Sequence, residues 1–204
     1  MKKLLLSLIL SVHTLPGTAA IIIEHSPVTV SRADRHPDSF AFDVNNDGQT
    51  DWTLITNVSQ TGSSIGLLPA LTTGFVYQTP PPTTQPWVYP LLNGTEIGST
   101  FVTTTYEWFL GYQAPLSSST GQGEFGPFAG EEGYIGFQFE ADDGIHFGYA
   151  YFISNNGGSI TVSEYAWETE PGKAIRAGNI PEPSSALLMI LSFGLSLTRR
   201  KRGK

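Results

Sequence analysis

The stretch from Gly133 to Trp167, GYIGFQFEADDGIHFGYAYFISNNGGSITVSEYAW, decides the fold class. In Gly133–Glu140 the residues Ile135, Phe137 and Phe139 alternate with Gln138 and Glu140, the period of two that a half-buried strand requires. Asp142-Asp143-Gly144 then supplies a turn tolerant of positive φ. The next strand, Ile145–Ser154, carries Ile145, Phe147, Tyr149, Tyr151 and Ile153 on one face. Asn155-Asn156-Gly157-Gly158 turns the chain again, and Ser159–Trp167 returns with Ile160 and Val162. A three-stranded antiparallel meander follows.

The pattern continues outward from this meander. Phe40–Asp43, Trp52–Asn57 and Phe101–Leu110 read as further strands, and Gly, Pro, Ser, Thr and Asn interrupt every stretch before it reaches helical length. Thr79–Pro86 carries four prolines without amide donors and reads as a surface loop; Ser117–Gly123 reads as a flexible connection. Many short strands with long loops predict an all-β fold, an antiparallel β-sandwich of jelly-roll type.

The 204 residues hold 40% hydrophobic and 14% charged side chains and no cysteine. Such a chain can bury enough surface to fold, and it has no disulfide, thiolate-metal or cysteine-nucleophile chemistry. Seven of the 11 basic residues lie at the two ends of the sequence. Between Ile21 and Ile180, four basic residues face 17 acids, a formal charge of −13. Nucleic acid is a poor partner for that segment.

The ends divide the chain into three parts. Residues 1–20 have a basic start (Lys2, Lys3), an apolar run and small residues before Ala20, the build of a signal peptide cleaved after Ala20. Residues 181–204 have Pro181-Glu182-Pro183, an uncharged stretch from Ser184 to Leu197 and a basic end, a short hydrophobic helix with a cationic stop. The exported domain is 21–180, and membrane contact is confined to the terminal segments.

Pro181-Glu182-Pro183-Ser184-Ser185-Ala186-Leu187-Leu188 before an apolar helix and a basic tail resembles the PEP-CTERM sorting signal. The resemblance implies a Gram-negative bacterium, the export translocon, and processing by an exosortase, a transpeptidase-like membrane enzyme. Residues 133–140, 165–172 and 175–178 also resemble an uncharacterised cargo type found before such tails, which brings no activity with it.

One constellation carries clear chemistry. Asp43-Val44-Asn45-Asn46-Asp47-Gly48-Gln49-Thr50-Asp51 spells D-x-N-x-D-G-x-x-D between apolar stretches. Oxygen ligands at alternate positions of a tight loop suit a hard cation, and Ca²⁺ is expected. Asp43, Asn45 and Asp47 would give side-chain oxygens, Gln49 its carbonyl and Asp51 the closing carboxylate. The spacing resembles the calcium loops of FG-GAP repeats. An EF-hand needs a bidentate Glu at the twelfth position, where this chain has Leu54. The alternative is an Asn/Asp/Gly-rich turn that caps its own backbone without metal.

No hydrolase signature surrounds His25, His36 or His146. His146 reads as a packed or surface histidine, and Glu140 with Glu164 is the carboxylate pair that adjacent strands would bring together for glycoside hydrolysis. Trp87, Tyr89, Trp108, Tyr112 and Trp167 are the candidate sugar platforms. The expected function is non-enzymatic: an exported cell-surface or matrix protein of structural or interaction type. A carbohydrate-binding module for exopolysaccharide is the second expectation and a glycan-processing enzyme the third.

Overall fold

The computed structural model describes residues 20–32, 38–58, 62–78, 87–100, 106–110, 113–120, 123–155 and 158–179. Residues 1–19 of the expected signal peptide, the expected C-terminal hydrophobic helix, the Thr79–Pro86 loop and the first half of the expected Phe101–Leu110 strand lie outside them. Among the described residues the regular structure is all β, in antiparallel sheets.

The meander forms as its alternation dictates. Strands β11 (Glu132–Ala141), β12 (Gly144–Asn155) and β13 (Ser159–Glu168) pair in sequence order. They continue on one side to β6 (Gly74–Gln78) and β8 (Tyr106–Leu110). On the other side β1 (Ile21–Glu24) and β2 (Val28–Ser31) both line the edge of β13, completing a seven-stranded sheet. A five-stranded sheet runs β10 (Gly123–Phe125), β9 (Ala114–Thr120), β5 (Gly62–Pro69), β4 (Trp52–Val58), β3 (Ser39–Phe42). A short pair, β7 (Glu96–Ile97) with β14 (Ile175–Arg176), stands apart.

The larger sheets share one core. Trp52 of β4, fully buried, stacks on Phe42 at 3.8 Å and meets Phe75, Phe137 and Phe152 of the seven-stranded sheet with centroids 6.0, 6.1 and 6.3 Å away. Burying roughly 200 Å² of indole at ~25 cal/mol per Å² contributes about 5 kcal/mol. At one end Arg32, nearly buried, reaches the carbonyls of Gly158 and Ser63 and the carboxylate of Glu124. One side chain thereby ties the β12–β13 turn to β5 and β10.

The expectation of a half-buried meander needs correction. The register sets Ile135 opposite Ala150, Phe137 opposite Gly148 and Phe139 opposite His146. Directly opposed residues share a face. The Ile135–Phe137–Phe139 face therefore looks into the shared core, while Phe147 and Tyr149 look the other way. There they are covered by a second apolar cluster with Val76, Leu91, Ile97, Ala166, Ile175 and Ala177. The seven-stranded sheet is thus buried on both faces around β11 and β12.

Ser117–Gly123 is a second correction. Ser117–Thr120 belong to β9, which pairs with both β5 and β10. The serine-rich composition hid this strand, as did Pro115, which lacks an amide. The ladder accommodates that proline where the β5–β9 register shifts between Ile65 and Gly66. Strand β5, Gly- and Ser-rich and ending on Pro69, escaped for the same reason.

At Gly148 the shared core leaves no room for a side chain, since a Cβ there would stand 2.3 Å from Phe137 Cζ and 2.6 Å from the Ala166 carbonyl oxygen. Gly148→Ala should lower unfolding free energy by about 2 kcal/mol, the usual scale of core overpacking, in urea denaturation followed by fluorescence. Phe137→Leu in the same background should recover part of that loss by vacating the ring's space.

Candidate functional site

The expected metal loop connects β3 to β4. Its shape follows from its own side chains. The Asp43 carboxylate accepts the amides of Asp47 at 3.0 Å and Gly48 at 2.8 Å. Asn45 Oδ1 accepts the Asp47 amide at 3.1 Å, and Asp47 Oδ1 accepts the Gln49 amide at 2.7 Å. The Asn45 side-chain amide donates to Asp47 Oδ2 at 3.1 Å. Gly48 takes φ +88°, the left-handed region that suits glycine, and Asn46 takes φ +59°.

Asp51 is different in kind. It is buried, accepts the Val44 amide at 2.7 Å, and donates its own amide to the Phe42 carbonyl at 2.8 Å. The loop is therefore clamped at its base beside the Phe42–Trp52 stack. Burial pushes the Asp51 carboxyl up to about 6; the Val44 hydrogen bond opposes this, and the charges of Asp47 and Asp43 add to it.

The structure thus brings Asp43, Asn45, Asp47 and Asp51 onto one loop, with Gln49 contributing its amide to Asp47. All the donors are hard oxygens, which fits a hard cation, and a carboxylate oxygen that accepts one amide keeps further lone-pair capacity. In the described arrangement these oxygens face loop amides, and among the described residues no three acidic, His or Cys side chains converge as a metal cluster.

The other candidates separate. Glu140 stands opposite Ile145 and Glu164 opposite Tyr151. Six residues along β12 at ~3.3 Å each puts them ~20 Å apart, beyond the ~5–10 Å of a glycosidase pair. His146 is buried and stacked on Phe139, with Nδ1 2.8 Å from the Glu168 carbonyl and Nε2 2.8 Å from Asp143. Nδ1 thus meets the end of β13 and Nε2 the β11–β12 turn, and the hydrogen bond with Nε2 holds the Asp143 carboxyl below its ordinary range. The packed alternative is the one observed.

Among the aromatic candidates, Trp167 is buried in the shared core and is removed as a platform. Trp108 packs on Phe147 at 5.7 Å and donates its indole N–H to the Gly98 carbonyl at 3.3 Å. Tyr112 lies outside the described residues, as do Pro181, Glu182 and Pro183. Ala20 is described: it exchanges hydrogen bonds with Thr169 at 2.9 Å immediately before β1. Trp87 and Tyr89 share an open concavity with Phe125 and Pro127. Sequence reading missed Phe125 there, because only the β9–β10 pairing brings it beside Trp87.

No family model, curated protein or solved structure matches this chain.

The Asp51 environment has a pH signature in cation-free buffer. The folded carboxyl holds its proton to about pH 6, the unfolded one only to 3.8, so its contribution to stability is present at low pH and is lost as pH rises between those values. The full loss is at most about 3 kcal/mol. Asp51→Asn keeps an acceptor for Val44 and does not titrate. Relative to it, the parent chain in EDTA should be less stable at pH 7 than at pH 4, as measured by urea unfolding at both values. A difference independent of pH would contradict the assignment.

Proposed function

We propose that the chain is an exported cell-surface or extracellular-matrix protein of structural or interaction type, delivered by a PEP-CTERM-like tail and stabilised by Ca²⁺. The observation that supports the calcium part is the Asp43–Asp51 loop, which carries five candidate oxygen donors along nine residues and is anchored through Asp51 to the base of the Phe42–Trp52 stack. Asp43, Asn45, Asp47 and Asp51 with the Gln49 carbonyl would hold the ion. It would neutralise three carboxylates in one loop and brace the β3–β4 hairpin at the edge of its sheet. The two-sheet arrangement around Trp52 supports a β-sandwich. Its sequential hairpins β3–β4–β5 and β11–β12–β13 favour a meander-built sandwich over a jelly roll, in which successive strands alternate between sheets.

Delivery rests on the two terminal segments read from the sequence: a leader ending at Ala20 for the translocon, and Pro181-Glu182-Pro183 with its hydrophobic helix for an exosortase-type enzyme. The location is the cell surface or the extracellular space of a Gram-negative bacterium, with transient inner-membrane anchoring before processing.

Calcium titration of the EDTA-stripped full chain should raise its melting temperature by several degrees, and Asp43→Ala/Asp47→Ala should abolish the shift. No heat of binding and no thermal shift at millimolar calcium would leave the loop as a metal-free capped turn. Deleting residues 181–204 should leave folding unchanged while releasing the protein from the cell fraction, as read by immunoblotting of cells and medium. Unchanged cell association would refute the sorting role.

A further inference from the structure

The outer face of the five-stranded sheet carries an arrangement that neither delivery nor calcium uses. The registers set Asn57 opposite Ser64, Ser64 opposite Ser118, and Ser118 opposite Phe125. Directly opposed residues share a face, so one amide, two hydroxyls and one aromatic ring form a row straight across β4, β5, β9 and β10. At ~4.8 Å between strands the row is about 14 Å long. It lines an open concavity of about 310 Å³, and Phe125, 47% exposed, also lines a second of about 420 Å³ with Trp87 and Tyr89. The rings of Phe125 and Trp87 meet edge to face at 6.2 Å. Phe125 thus lines both hollows.

We propose that these two hollows, which share Phe125, bind a neutral polysaccharide. Sugars present hydroxyls along their edges and C–H faces above and below. Short hydroxyl and amide side chains can bond the edges, and aromatic rings pack against the faces. Both hollows have volumes within or near the ~300–1,000 Å³ of small-molecule sites. No charged residue is among those described as lining either. Glu124, the neighbour of Phe125, engages Arg32 and is paired in the adjacent row. With the surrounding segment at a formal −13, an anionic polymer is repelled and an uncharged one is not. Asn57 lies six residues along from Asp51, about 20 Å at ~3.3 Å per residue, so the hollows are separable from the calcium loop.

The test is affinity electrophoresis of the full chain, kept soluble in mild detergent, through gels containing hydroxyethylcellulose, dextran, galactomannan or alginate. At least one neutral polymer should retard the chain, with alginate retarding it least. Phe125→Ala and Trp87→Ala should each weaken retardation by tenfold or more, and Ser64→Ala/Ser118→Ala by a smaller factor. Leu92→Ala, exposed and outside both hollows, should leave it unchanged. Should Trp87→Ala fail to fold, the half-exposed Phe125 still decides the matter. Absence of retardation by every neutral polymer, preference for alginate, or retardation indifferent to Phe125→Ala overturns the proposal. EDTA should not alter retardation, which separates this outcome from failure of the calcium reading.

Discussion

The pairing of Phe137 with Gly148 is the constraint on which the rest of the molecule depends. A ring can lie across the neighbouring strand only if that strand carries no side chain beneath it, and Gly148 meets this need on the core side. On the opposite face Gly136 does the same for Val76 and Ile97. The central hairpin is thereby committed to close packing on both faces. Strands buried on both sides need a cover on each, so the five-stranded sheet sits over one face and the β7–β14 pair with its flanking segments over the other.

Double burial also determines which polar groups must be satisfied and where. Tyr149, fully buried under the outer cluster, is an exception: its hydroxyl has no hydrogen-bond partner among the described residues, and the phenol is pushed up to about 12, chiefly by burial and then by Glu164 and Tyr134. Arg32 can enter the end of the shared core because two carbonyls and Glu124 accept hydrogen bonds from its N–H groups; an unpaired guanidinium there would cost several kcal/mol. His146 is held between a carbonyl and Asp143. Arg32 and His146 thus complete the packing with their polar groups paired.

The candidate site was legible in unequal parts. D-x-N-x-D-G-x-x-D is local, so its residue types and spacing could be read directly, and the structure adds that Asp51 is the buried clamp of the loop. The aromatic candidates could not be sorted from sequence. Trp167 and Trp87 sit in similar polar-aromatic surroundings along the chain, yet one lies in the core and the other lines an open hollow. Phe125 drew no attention because its partners Ser118, Ser64 and Asn57 are brought beside it by three successive registers.

By itself the sequence determined the all-β character, the meander, the acidic balance and the Asp-, Asn- and Gly-rich composition of the β3–β4 loop. Each of these depends on alternation, turn chemistry or charge within a few neighbouring residues. Only the tertiary structure decided that the meander is buried on both faces, that Ser117–Thr120 is a strand, that Glu140 and Glu164 are kept apart, and that a polar row crosses the five-stranded sheet. A strand specifies what its two faces carry, but the partner and register that cover each face come from elements far away in the chain. Where composition is small and polar, as in β5 and β9, only that partner makes the strand.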